Sequence, residues 1–95
     1  MNKREYLYTC AMEDCANIQK NISEILINGE DRSDNGIANG DMLMNSYYHL
    51  QSVINTLIEE NILIDLEESE IISEEMARRH YIEKRYKGSP ERNNL

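Results

Sequence analysis

The chain has 95 residues, a net charge of −8, six Tyr but no Phe or Trp, and a single Pro. That length makes one domain at most and buries only about 60 to 65% of the surface the unfolded form exposes. The acidic balance argues against a DNA or RNA polymer as partner, because phosphate backbones call for a basic face. The lack of a run of about 20 apolar residues argues against a membrane partner.

From Lys3 to Asn28 the apolar residues Leu7, Ala11, Ile18, Ile22 and Ile25 recur at multiples of three and four, a helical stripe interrupted at Asp14. Cys10 and Cys15 lie five apart on this helix, too far apart and too divergent for a disulfide, and read as reduced, semi-buried apolar residues. The start of the chain (Met1, Asn2, Lys3, Arg4, Glu5) leads into this amphipathic segment and does not resemble a signal sequence, so a cytoplasmic location is expected. Asn28 and Gly29 mark the end of the helix, and the polar stretch from Glu30 to Gly40 reads as a loop.

A second helix, capped by Asn39 or Asp41, carries Leu43, Tyr47, Leu50, Ile54 and Leu57 as its stripe and runs to about Glu60. Asn61 stands where a stop glycine is common, and Ile62, Leu63 and Ile64 are expected to fill the turn. A third helix begins at Glu67 to Ser69 with acidic residues in its first turn and reaches roughly Tyr86, where Gly88, Ser89 and Pro90 end it. The expected organisation is a single helical domain over residues 1–88 with a flexible tail over 89–95.

Charge is unevenly spread over the last third. Residues 59–75 contain Glu59, Glu60, Asp65, Glu67, Glu68, Glu70, Glu74 and Glu75 with no Lys or Arg, whereas residues 77–95 contain Arg78, Arg79, Lys84, Arg85, Lys87 and Arg92 against Glu83 and Glu91. A solvated acidic turn and basic helix end, matched to the helix dipole, explain this pattern. A basic end that closes over an anion, or docks on the acidic segment of a neighbouring subunit, explains it too.

The fold class is therefore all-α: an antiparallel two-helix hairpin plus a third, C-terminal helix. One such hairpin is too thin to bury both stripes, so two are expected to pack into an oligomeric four-helix core. The first partner is thus the chain itself, as a dimer or tetramer.

The run Glu13, Asp14, Cys15, Ala16, Asn17, Ile18, continuing to Leu26 and Gly29, resembles the opening of the all-alpha, MazG-like nucleoside triphosphate pyrophosphohydrolases, especially the small versions carried by phages. Leu57, Glu59, Glu60 and Asn61 match the close of that family's second motif region, and Arg79, Tyr81, Lys84 and Tyr86 suit its last helix. The resemblance implies two carboxylate pairs that hold Mg²⁺ against a triphosphate and activate water. Carried onto this chain, the first pair falls on Asp14 and Asn17 and the second on Ser46 and His49, so only Asp14 keeps a carboxylate.

Losing Glu and Asp to Asn, Ser and His removes most of what holds a hard cation. No metal cofactor is expected, since Asp14 with His49 supplies only two ligands. The substituted residues are neutral donors and a ring that can become cationic, able to meet phosphates directly. Lys20, one turn from Asn17, adds charge, and Tyr47 and Tyr48 offer rings for a base to stack on.

The leading expectation is a protein that binds a nucleotide-type ligand at Asp14, Asn17, Lys20, Ser46, Tyr47, Tyr48 and His49 without hydrolysing it. In the phage setting that the resemblance implies, such a protein is an anti-defence sponge for a nucleotide immune signal. One alternative is an oligomeric adaptor that binds a host or phage protein. Another is a pyrophosphohydrolase whose altered site still uses Mg²⁺.

Overall fold

Three helices form in the computed structural model, which describes residues 1–33 and 35–88: α1 (Lys3–Asn28), α2 (Asn39–Glu59) and α3 (Glu68–Lys87). The tail expected at 89–95 lies outside the described residues. By its contacts the chain divides into two units, Met1–Ile64, which holds the α1–α2 hairpin, and Asp65–Leu95, which holds α3. None of the described helices is long and apolar enough to cross a membrane.

Local chemistry accounts for most of the helix ends. The Asn2 side chain accepts the Glu5 amide at 2.8 Å, and its own amide returns a bond to the Glu5 carboxylate at 3.2 Å, which closes the first turn of α1. At the far end Gly29 takes φ 90 and ψ 163, a backbone state that only glycine adopts without strain.

Helix α2 begins after Ala38, not after a capping side chain from Asn39 or Asp41. Asn39 is its first helical residue and turns back to donate to the Gly29 carbonyl at 3.2 Å, tying the loop between the helices shut. Backbone bonds from Asn39 to Arg32 and from Gly40 to Glu30 close the same loop.

The end of α2 is a Schellman turn. Asn61 adopts φ 60, its amide donates to Ile58 and the Ile62 amide donates to Leu57. An alanine forced into this left-handed backbone loses stability, whereas glycine does not. Asn61→Ala is expected to lower stability by about 1 kcal/mol and Asn61→Gly to preserve it, as read from urea unfolding midpoints. Equal midpoints for the two variants would contradict this account. Of the three residues after Asn61, Ile62 and Leu63 are half-buried but Ile64 is 96% exposed, so it does not fill the turn as expected.

Between α1 and α2 the seam departs from the expected apolar stripes. On α1 the line Leu7, Ala11, Asp14, Ile18, Asn21 and Ile25 is buried or half-buried, while Ile22 is 41% exposed. On α2 it is Asn39, Leu43, Ser46, Leu50, Ile54 and Leu57, while Tyr47 is 46% exposed. Both lines advance in steps of three and four residues, the spacing of antiparallel helices packed at a shallow angle.

The seam is apolar at one end, where Leu7 and Leu57 are buried, and polar at the other, where Asn21, Asn39 and Ser46 are. Asn21 Nδ2 donates to Ser46 Oγ at 2.7 Å and to the Met42 carbonyl at 3.1 Å. Among the described residues no buried side-chain nitrogen or oxygen lacks a partner, which is what makes a polar seam tolerable. An exposed ion pair between Lys3 and Glu60 ties the apolar end and is worth at most about 1 kcal/mol. Cys10 and Cys15 are both free thiols. Cys10 is half-buried as expected, but Cys15 is exposed.

Candidate functional site

At the polar end of the hairpin the two helices leave a groove of about 480 Å³ beside the seam. Helix α1 contributes Asn17, Lys20, Asn21 and Glu24, spaced by one turn or less so that they share a face. Helix α2 contributes Asn39, Met42, Asn45, Ser46 and His49, and Asn35 reaches in from the loop. Met42 is the single apolar residue in this lining.

These side chains divide by what their polar atoms are already doing. Asn21, Ser46 and Asn39 are spent on the hairpin itself through the bonds described above. The Glu24 carboxylate accepts from Asn28 at 3.1 Å, and Asn35 Oδ1 accepts the Ile37 amide at 3.4 Å. Asn17, Lys20, Asn45 and His49 are exposed and make no hydrogen bond to another described residue, so their donors are available to a ligand. Chemically this is an amide-rich cleft with one ammonium and one imidazole.

Of the seven residues expected at the site, Asn17, Lys20, Ser46 and His49 line this groove. Asp14 does not: it is half-buried on the line of α1 that faces α2. Tyr47 and Tyr48 also stand outside the lining, meeting edge to face with their ring centres 5.0 Å apart. Among the described residues no three His, Cys, Asp or Glu side chains come together as a metal site.

Sequence reasoning missed Asn21, Glu24, Asn35, Asn39, Met42 and Asn45 because it started from the two i, i+3 pairs that the resemblance implies. A signal existed for some of them. Asn17, Lys20 and Glu24 on α1, and Asn45 and His49 on α2, are polar residues at helical spacing alongside a seam. A second hollow of similar size on α1, lined by Tyr8, Ala11, Met12, Cys15, Ala16 and Gln19, holds no charged group. Compared with known families, curated proteins and solved structures, the chain gives no match.

Proposed function

We propose that the chain binds a small phosphorylated ligand of nucleotide type in the groove between α1 and α2 and holds it without hydrolysis. The observation that carries this reading is the convergence of uncommitted donors from Asn17, Lys20, Asn45 and His49 on one polar concavity. Ammonium and amide groups suit phosphate oxygens and the polar edge of a base. Glu24, the one carboxylate in the lining, is placed to accept from a ribose hydroxyl or an exocyclic amine. Sequestration of a nucleotide signal is the role such a site would serve, with no metal cofactor and with the ligand released intact.

The test is a thermal-shift screen of linear and cyclic nucleotides, followed by recovery of the ligand. A cognate nucleotide at 100 times its dissociation constant adds about 2.7 kcal/mol, which for a chain of this size raises the melting temperature by roughly 10 to 20 °C. Lys20→Glu is expected to weaken that ligand at least about tenfold, because it replaces a charge-assisted contact with repulsion. Cleavage of the bound nucleotide in Mg²⁺, lost in Asp14→Ala, would replace this reading with the pyrophosphohydrolase one. If no nucleotide raises the melting temperature and a specific protein partner is recovered, the adaptor reading takes its place.

A further inference from the structure

No residue of α3 is buried. Most helical stability in a protein comes from packing an apolar face and not from the helix's own hydrogen bonds. Its ends are well matched to the helix dipole, with Glu68 and Glu70 in the first turn and Lys84, Arg85 and Lys87 in the last. Arg78 and Arg85 are committed to Tyr81: their guanidinium carbons lie 5.1 and 5.5 Å from its ring centre, and Arg85 donates to its hydroxyl at 2.8 Å.

Away from that cluster runs another line, Glu68, Ile72, Glu75, Arg79, Ile82 and Tyr86. Its steps alternate four and three residues, so all six fall within about 80° of helix arc, as the seam of a helix pair requires. Ile72 and Ile82 are each half exposed on it. The line is complementary in charge to its own reverse: its first half carries Glu68 and Glu75 and its second half Arg79, with an isoleucine in each.

We propose that α3 is a self-association segment that pairs antiparallel with α3 of a second copy. Centred on Ala77, near the middle of the helix, such a pairing sets Ile72 against Ile82 of the second copy and Glu75 against Arg79. Two-fold symmetry makes each of these contacts twice. A parallel pairing lays Glu75 on Glu75 and Arg79 on Arg79, so charge selects the antiparallel sense. This inference is independent of the groove and its ligand.

Sedimentation equilibrium on the full chain and on charge-reversed variants tests it. Glu75→Lys and Arg79→Glu each place like charges together at two symmetric positions, and each is expected to raise the dissociation constant of self-association about tenfold or more. An equimolar mixture of the two variants restores both attractions and is expected to return to within about threefold of the wild type, as is the double variant E75K/R79E. Circular dichroism confirms that helix content is kept. A wild-type chain that stays monomeric, single variants that associate as tightly as the wild type, or a mixture no tighter than its components would each overturn the proposal.

Discussion

Leu57→Ala is expected to destabilise the hairpin more than any other single truncation, by about 2 to 5 kcal/mol. Leu57 is 0% exposed, the only fully buried side chain among the described residues, and its carbonyl also accepts the Ile62 and Leu63 amides that fold the chain back after α2. A chain of this length has a total stability of only about 5 to 14 kcal/mol. The loss should therefore lower the melting temperature by roughly 10 to 40 °C, measured by circular dichroism. Leu26→Ala serves as the control, because Leu26 is 81% exposed and its truncation should change stability by no more than about 0.5 kcal/mol. Equal losses at the two positions would show that Leu57 is not the centre of the core.

The second large effect is at the polar end of the seam. Asn21→Ala removes two donated bonds and leaves a gap between the helices, for an expected loss of about 1 to 3 kcal/mol. Replacing both partners has the opposite character. Asn21→Leu together with Ser46→Ala leaves no stranded amide and continues the apolar line from Ile18 to Ile25 and from Leu43 to Leu50, so the double variant should match or exceed the wild type. Urea unfolding of the two single variants and the double gives the coupling between the sites. A double variant as unstable as Asn21→Ala would show that this end of the seam cannot close over apolar groups.

These substitutions also separate the groove's structure from its chemistry. Asn21 and Ser46 line the groove but are occupied in holding α1 to α2, whereas Lys20 and His49 have no structural bond to lose. Nucleotide affinity should accordingly follow Lys20, and folding stability should follow Asn21.

Helix positions were legible from local signals because local chemistry decides them. Asn28 and Gly29 end α1, Asn61 takes the left-handed stop after α2, and acidic and basic residues bracket α3, all within a turn or two of the helix ends they set. The candidate site was legible only in part: the two pairs carried over from the resemblance reached Asn17, Ser46 and His49, and helical spacing added Lys20, but neither Asp14 nor the two tyrosines share their groove.

What only the tertiary structure decided is which face of each helix turns inward. Counting apolar residues selects Ile22 and Tyr47 for the seam, yet the neighbouring Asn21 and Ser46 occupy it, because their mutual hydrogen bond satisfies both across the interface. A buried polar pair is invisible in either helix alone, since each member reads as an interruption until its partner is in place. The sequence by itself determined an all-helical chain and the ends of its helices. The packing of α1 against α2 determined the seam, and with it the line of Asn17, Lys20, Asn45 and His49 left beside it.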